Sequence, residues 1–151
     1  MIVLVVGALI LVIDQGIKYY VTTNLILNTS IPVINDVFYV TYISNAGAAF
    51  GLLEDQVGLL SLIMLFLVAI IVYLCYKTKG CCWQFHLGIG TVSGGGGSNL
   101  LDRTTIGYVV DFLDMRNGPV FNVADVAILS GACFLVSTII FSAKRESVVR
   151  E

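Results

Sequence analysis

The chain is poor in charged residues. Aspartate, glutamate, lysine and arginine make up 12% of its 151 residues, against roughly 25% in soluble domains. Hydrophobic residues reach 58%, and the mean hydropathy is +0.95. A chain this short cannot bury that much apolar surface in a water-soluble body, so the composition indicates a membrane protein. The net charge of -2 and the lack of a basic patch give no sign of a nucleic-acid partner.

Cysteine and histidine are also scarce, and their spacing favours neither a disulfide framework nor a metal site. Cys75 and Cys133 lie in apolar runs, where cysteine behaves as a small buried hydrophobe. Cys81 and Cys82 are adjacent and close to His86, but they lack the C-x-x-C spacing of zinc ligands, and no second ligand pair is present. We therefore expect no metal and no cofactor.

Four apolar segments are long enough to cross a bilayer, whose hydrocarbon core needs about 20 mostly apolar residues per helix. They are residues 2–20, 57–76, 82–101 and 120–141. The first is not expected to be a signal peptide, because it lacks a basic start and ends in Asp-Gln rather than in small residues. We predict a single membrane domain over residues 1–151, mainly α, with four transmembrane helices and both termini on one side.

The charged residues predict the orientation of these helices. Five of the eight basic residues fall on one side of the predicted membrane: Lys77, Lys79, Lys144, Arg145 and Arg150. Because basic residues concentrate in cytoplasmic loops, both termini are expected in the cytoplasm. Eight of the ten acidic residues fall at or beyond the opposite boundary, so any carboxylate chemistry is expected at the outer face.

The first outer segment has the composition of a small sheet. Residues 35–43 (NDVFYVTYI) predict a short strand, and residues 44–51 (SNAGAAFG) predict a turn whose small side chains let another chain approach the backbone. A simple surface hairpin would satisfy this pattern. The alternative is a β-cradle, at about residues 31–55, that holds an extended peptide beside the bilayer.

Two aspartates in the second outer region suggest chemistry. Asp111 lies in an apolar, strand-like run at residues 108–113, where a carboxylate is costly unless it is paired or functional. Asn122 is predicted to cap the last helix, which places Asp125 at the third helical position. Capping explains Asp125 but not Asp111. Two such carboxylates can share a proton, one polarising a carbonyl while the other activates water. The residues alone leave a dyad and separate structural roles equally open.

Five motifs then occur in the order typical of one family. They are Asp14-Gln15-x-x-Lys18, Asn45-Ala46-Gly47-Ala48-Ala49-Phe50-Gly51, Asn99-Leu100-Leu101-Asp102-Arg103, Val109-Val110-Asp111-Phe112 and Phe121-Asn122-x-Ala124-Asp125. On these motifs the chain resembles, along essentially its whole length, the lipoprotein signal peptidases, also called signal peptidase II. The resemblance implies a four-helix membrane core with an extracytoplasmic β-cradle, and a catalytic aspartic dyad at Asp111 and Asp125.

The resemblance also implies a substrate, a place and a set of supporting residues. The expected substrate is a bacterial prolipoprotein whose cysteine carries a diacylglyceryl group, cut just before that cysteine at the outer face of the inner (cytoplasmic) membrane. Membrane lipids are expected partners, and globomycin-type cyclic peptides are expected inhibitors. Six residues are implied to support the site or contact substrate: Asp14, Asn45, Gly47, Asn99, Arg103 and Asn122.

One departure and two simpler roles accompany the resemblance. Ser98 stands where the family usually has glycine, after a run of four glycines at residues 94–97 that fits close helix packing. No Lys-Ser or Lys-Thr follows that run, so a phosphate loop is not indicated. Asp14 and Lys18, four residues apart, can simply pair on a helix face. Arg103 can anchor a neighbouring aspartate or a lipid headgroup.

Two other function classes compete with a peptidase. A transporter or channel should carry ionisable residues along a path across the membrane, whereas the acids here gather at one face. A purely structural membrane subunit would need no paired aspartates. An intramembrane protease of the presenilin type is chemically closer, but its Gly-x-Gly-Asp signature is absent. The sequence therefore favours the signal peptidase interpretation.

Overall fold

The computed structural model describes residues 1–47, 62, 66, 70, 73, 83–116 and 118–149, with side chains as far as residue 138 in the last helix. Within these ranges the chain forms three long helices and three strands. In chain order they are α1 (Ile2–Asn24), β1 (Ser30–Ile34), β2 (Phe38–Asn45), α2 (Trp83–Thr105), β3 (Val109–Asp114) and α3 (Val123–Val149). The expected mainly helical architecture with a small sheet is confirmed.

The helices differ in how well they suit a bilayer. Among the described helices, α1 alone combines the length and apolarity needed to cross a membrane. Helix α2 is less apolar because it carries the glycines and polar side chains of the candidate site. The predicted span at residues 57–76 lies outside the described residues, apart from four helical, exposed positions: Leu62, Phe66, Ile70 and Tyr73. The count of four spans therefore stays a prediction.

Helix α2 packs against both α1 and α3 through its glycines. A Cβ atom on Gly94 would lie 2.7 Å from the backbone oxygen of Gly7 in α1. A Cβ atom on Gly95 would collide with the backbone oxygen of Ala124 in α3. The run of small residues thus lets three backbones approach closely, as the sequence predicted.

The three strands form an antiparallel sheet in the order β1-β2-β3. The expected strand at residues 35–43 is displaced. Residues 35–37 form a turn in which Asp36 has a φ of 60°, so β2 begins only at Phe38. At its other end β2 continues through Asn45, expected in a turn, because Asn45 lies opposite Val109 of β3. The rest of the predicted cradle, from residue 48, lies outside the described residues.

Contacts at two points fix the sheet to the helices. Val21 of α1 joins Tyr42, Val110 and Phe112 of the sheet in a buried apolar cluster. Phe121 pairs with Leu113 through backbone hydrogen bonds of 2.7 and 3.1 Å. This pairing keeps the chain extended up to Asn122, so α3 begins at Val123, as the predicted cap at Asn122 requires, although the apolar span was placed from residue 120. It also brings the start of α3 against β3.

Candidate active site

Asp111 lies on β3 with its carboxylate almost fully buried. Its exposed fraction is 2%. Oδ2 accepts a hydrogen bond of 2.8 Å from Asn45 Nδ2, because β2 and β3 are neighbours, and Oδ1 accepts one of 2.7 Å from Asn122 Nδ2. Burial raises the pKa of Asp111 from 3.8 to about 6 and outweighs the lowering effect of these two hydrogen bonds.

Asp125 occupies the third position of α3. Its backbone N–H donates to Asn122 Oδ1 at 2.9 Å, while its Oδ2 accepts from the backbone N–H of Asn122 at 3.2 Å. This reciprocal arrangement is a capping box, so the predicted cap and position are confirmed. Asp125 Oδ1 also accepts a hydrogen bond of 2.8 Å from Asn99 Nδ2 of α2.

Asn122 joins the two aspartates. Its side-chain amide donates to Asp111, and its backbone N–H donates to Asp125. The same residue is fully buried, so no solvent separates it from either carboxylate. Two positions that the sequence could only suggest as a pair thus share one bridging residue. We call Asp111 and Asp125 the dyad.

A second group of carboxylates surrounds the buried ammonium of Lys18. Its Nζ lies 2.7 Å from Asp14 Oδ2 and 2.7 Å from Asp102 Oδ2. The pairing expected from the spacing of Asp14 and Lys18 is therefore present. We call Asp14, Lys18 and Asp102 the ionic cluster. Lys18 also donates to Asn99 Oδ1 at 2.8 Å, which connects this cluster with the dyad.

Asp14 ties α1 to the start of α3. Its Oδ1 accepts a hydrogen bond of 2.9 Å from the backbone N–H of Ala124, in the first turn of α3. That N–H has no partner within its own helix, so the carboxylate of another helix supplies one. A carboxylate at a helix N-terminus is also favoured by the helix dipole. Asp14 thereby helps to hold the turn that carries Asp125.

Ser98, the departure from the family pattern, is fully buried and bonded on both sides. Its hydroxyl donates to Asp14 Oδ2 at 2.7 Å and accepts from Gln15 Nε2 at 3.0 Å. Gln15 Nε2 also lies 2.7 Å from Asp102 Oδ1. The serine is thus accommodated in the packing and supports the ionic cluster.

Arg103 contacts backbone carbonyls. Its guanidinium donates to the Gly47 oxygen at 3.0 Å and to the Asn99 oxygen at 3.4 Å. Asp102, which the sequence offered as a partner for Arg103, instead bonds to Lys18 and Gln15. Gly47 in turn donates its N–H to Asn45 Oδ1 at 3.0 Å. Arg103 and Gly47 therefore connect α2 with the end of β2.

The residues of the site were predicted from the sequence in part. All eight predicted site residues are in or beside this network, as their contacts above show. The four supporting residues that were not predicted for the site are Gln15, Lys18, Ser98 and Asp102. A signal existed for Lys18 and Asp102, because ionisable groups in or next to a membrane span require partners. Gln15 stood in the first family motif and Ser98 was noted as a departure from the family pattern, but nothing in the sequence gave either residue a partner in the site.

The arrangement suits proton exchange. Each of the four carboxylate oxygens of the dyad accepts an N–H, and each keeps capacity for a proton or a water molecule. All of these donors are neutral amides. The dyad can therefore change its protonation without breaking an ion pair. Among the described residues, no three His, Cys, Asp or Glu side chains are grouped to hold a metal ion.

Comparisons with known proteins identify the family of this chain. The sequence family described as Signal peptidase (SPase) II matches residues 6–141. The chain is 39% identical over 132 residues to the lipoprotein signal peptidase of Halothermothrix orenii, covering 87% of this chain and 90% of that protein. It is 43% identical over 136 residues to that of Moorella thermoacetica, covering 87% and 88%.

Two solved bacterial membrane enzymes, both determined by the in meso method, share the fold. One, at 2.3 Å resolution, is 24% identical and superposes with a TM-score of 0.90 over 95% of this chain and 90% of that one. The other, at 1.9 Å resolution, is 26% identical with a TM-score of 0.82 over 91% of each chain. At 24% identity, the similarity to the 2.3 Å structure concerns the fold alone.

Proposed function

Because the chain belongs to the signal peptidase II family, we propose that it removes signal peptides from bacterial prolipoproteins as a membrane-embedded aspartic endopeptidase. One observation carries the aspartic mechanism. Asp111 and Asp125, from separate segments of the chain, bond to the same buried residue, Asn122. A carboxylate pair held by neutral donors is the arrangement that an aspartic peptidase needs.

The two carboxylates differ in where they lie on the backbone, Asp111 within strand β3 and Asp125 in the first turn of α3. Burial raises the pKa of Asp111 to about 6, which favours the protonated acid. Burial disfavours the charged form of Asp125 as well, but its position at a helix N-terminus and its backbone N–H donor favour the ionised form, and Asp111 has neither feature. We therefore propose Asp111 as the resting acid and Asp125 as the resting base.

The proposed reaction is a general acid–base hydrolysis. Asp125 removes a proton from water as the water oxygen bonds to the scissile carbonyl carbon, and Asp111 gives its proton to the carbonyl oxygen. Asp125 then protonates the amide nitrogen, the C–N bond breaks, and one hydroxyl proton returns to Asp111. The products are the carboxyl end of the signal peptide and a new amino-terminal cysteine, and both aspartates regain their starting states.

We propose that the substrate carries a diacylglyceryl group on the cysteine that follows the cut. The chain would act in the bacterial inner membrane as one domain of four spans, with cytoplasmic termini and the dyad at the outer face. The apolar exposed surface of α1 and the bacterial membrane enzymes of similar fold support this placement. The sheet would serve as a cradle for the extended peptide, and a globomycin-type cyclic peptide would compete for it.

Substitution of the dyad tests the mechanism. Asp111→Asn and Asp125→Asn should each lower the rate of cleavage of a lipidated prolipoprotein by at least about a thousandfold, because each removes a proton-transfer group. Asp36→Asn, an exposed acid in the β1–β2 turn, is the matched control and should cleave normally. Near-normal cleavage by both dyad variants would contradict the aspartic mechanism.

The lipid requirement needs a separate measurement. The purified chain, in detergent or vesicles, should cleave a diacylglyceryl-modified precursor and leave the same precursor without lipid largely intact. Equal rates on both would retain a peptidase but remove the lipid specificity. No cleavage of either, by a folded chain, would overturn the proposed function as a whole.

A further inference from the structure

We propose that Lys18 is a positioning residue for Asp125, acting through the side-chain amide of Asn99. The inference rests on the proposed peptidase function and assigns Lys18 a part in it beyond helix pairing. Its basis is the orientation of three asparagine amides around the dyad. An amide has an acceptor oxygen on one side and a donor NH2 on the other, so its partners decide which way it faces.

Each of the three amides has its oxygen held by a group that can only donate. Asn45 Oδ1 accepts the Gly47 backbone N–H at 3.0 Å, and Asn122 Oδ1 accepts the Asp125 backbone N–H at 2.9 Å. Asn99 Oδ1 accepts the Lys18 ammonium at 2.8 Å. Because every oxygen is occupied in this way, every NH2 is turned toward a carboxylate of the dyad.

Lys18 differs from the other two anchors. Those are backbone groups close in sequence to the asparagine they hold, whereas Lys18 reaches Asn99 from another helix. The ammonium is itself fixed, since Asp14 and Asp102 each lie 2.7 Å away and the side chain is only 3% exposed. Asn99 Oδ1 has a second donor, Asn122 Nδ2, but this contact is longer at 3.3 Å and carries no charge.

The consequence for Asp125 follows from the chemistry of the amide. While Lys18 holds the oxygen, Asn99 must donate to Asp125 Oδ1, and this hydrogen bond stabilises the ionised base. Without the ammonium, Asn99 can rotate and present its oxygen to the carboxylate. Two acceptors would then face each other, which disfavours the ionised form that removes a proton from water. Lys18 thus favours the ionised form of Asp125 without contacting the substrate.

A double-mutant cycle tests this coupling. Lys18→Met alone leaves two buried carboxylates without a cation, so the cycle is built on Asp102→Asn. In that background Lys18→Met leaves one carboxylate, and the cluster has the same formal charge as in the wild type. The four proteins are the Asp102→Asn variant, that variant with Lys18→Met added, that variant with Asn99→Ala added, and the triple variant with all three substitutions. Rates are measured on a lipidated prolipoprotein in detergent, with thermal unfolding as the check on folding.

Lys18→Met should lower kcat by roughly 10- to 100-fold in the Asp102→Asn background and leave KM within about twofold, because one hydrogen bond to a charged group is lost. With Asn99→Ala already present, Lys18→Met should change kcat by less than about twofold. An equal loss of kcat with and without Asn99, or no loss at all, would overturn the inference. In either case the dyad variants, assayed alongside, show separately whether the peptidase mechanism stands.

Asn99→Asp gives a second test that does not depend on removing Lys18. The aspartate keeps the shape of asparagine and keeps Lys18 paired, but it turns an acceptor oxygen toward Asp125. We expect kcat to fall by at least about 100-fold, since a donor to the base is replaced by a like charge, with thermal unfolding as the check that the variant is folded at the assay temperature. A kcat within about twofold of the wild type would contradict the role of the Asn99 donor and, with it, the role of Lys18.

Discussion

The dyad and the ionic cluster contain the same chemical group, yet their partners differ. Asp111 is as buried as the two carboxylates of the cluster, whereas Asp125 is half-buried. Asp14 and Asp102 of the cluster are 0% and 4% exposed, and Asp111 of the dyad is 2% exposed. In the part of the chain that the structure describes, both ion pairs use the Lys18 ammonium, and both belong to the cluster. The dyad accepts hydrogen bonds only from amides in the contacts seen here.

The difference separates carboxylates that pair with a charged partner from carboxylates that do not. A carboxylate beside an ammonium is held in its ionised form, because protonation would give up the charge–charge attraction. A carboxylate bonded to neutral amides gains and loses a proton at much smaller cost. Burial alone therefore does not identify a reactive aspartate. The partner's charge separates a fixed support from a group that can act as acid or base.

The largest effect should come from removing the shared cation. Lys18→Met leaves Asp14 and Asp102 buried with no cation between them, and breaking such a pair costs about 3–5 kcal/mol. The midpoint of thermal unfolding in detergent should fall clearly. Adding Asp102→Asn should restore part of the loss, because one of the unpaired charges is then gone. An unchanged midpoint in Lys18→Met would contradict the view that the ion pairs of the cluster stabilise the fold.

The next effect is a pH dependence of the folding stability that comes from Asp111 of the dyad. The pKa of Asp111 is raised in the folded protein, from 3.8 to about 6, so the folded form holds the proton more tightly. Its contribution to stability is therefore complete below about pH 4 and is lost as the pH rises through about 6, a change on the order of 3 kcal/mol. Relative to Asp111→Asn, the wild type should lose stability over this window.

Thermal unfolding of both proteins from about pH 4 to pH 7 measures this difference. Titrating groups other than Asp125, whose charge acts on Asp111, are shared by the two proteins and largely cancel. A difference that stays flat with pH would show that Asp111 does not carry a raised pKa. In that case the contrast between dyad and cluster would lose its physical basis.

A smaller effect is expected from Ser98. Ser98→Ala removes the hydroxyl that donates to Asp14 while keeping a good helix former, and a hydrogen bond to a charged group is worth about 2 kcal/mol. Stability should fall, but kcat should stay within a few-fold, because Ser98 supports the cluster and not the dyad. Ser137→Ala, whose hydroxyl donates to the Phe134 carbonyl within α3, is the matched control. A loss of kcat without loss of stability would contradict the assignment of Ser98 to the ionic cluster alone.

The smallest effect should be a shift in the pH profile. The hydrogen bond from Asn45 lowers the pKa of Asp111, so Asn45→Ala should raise that pKa further. If Asp111 is the acid of the free enzyme, the alkaline limb of kcat/KM should move to higher pH by about one unit. Asn35→Ala, in the exposed turn before β2, should leave the limb in place. Movement to lower pH would assign the proton to a different group.

Much of the architecture could be predicted from local patterns. The capping box at Asn122 and Asp125 depends on residues three apart, and the close helix approach depends on the glycines at residues 94–97. Both are short-range features, and both were found as expected. The ordered motifs also led to the right family. The exact bounds of β2 were missed, because its pairing with β3 overrode the local composition.

The partners of each carboxylate could not be predicted in this way. Hydrogen bonds that decide the roles of Asp14, Asp111 and Asp125 join residues far apart in the chain, such as Ala124 to Asp14 and Asn45 to Asp111. Composition gives no distance between two such residues. The role of Ser98 could not be predicted for the same reason. Its hydroxyl finds an acceptor only because α1 brings Asp14 against α2.

The sequence by itself determined a hydrophobic, mainly helical membrane chain and predicted that its acids gather at one membrane face, since hydropathy and charge are properties of single residues and of their spacing. The tertiary structure alone decided which acids meet a cation and which meet amides. That decision depends on three helices and a sheet converging within hydrogen-bond distance, where a few ångströms separate a carboxylate paired with an ammonium from a carboxylate bonded only to amides.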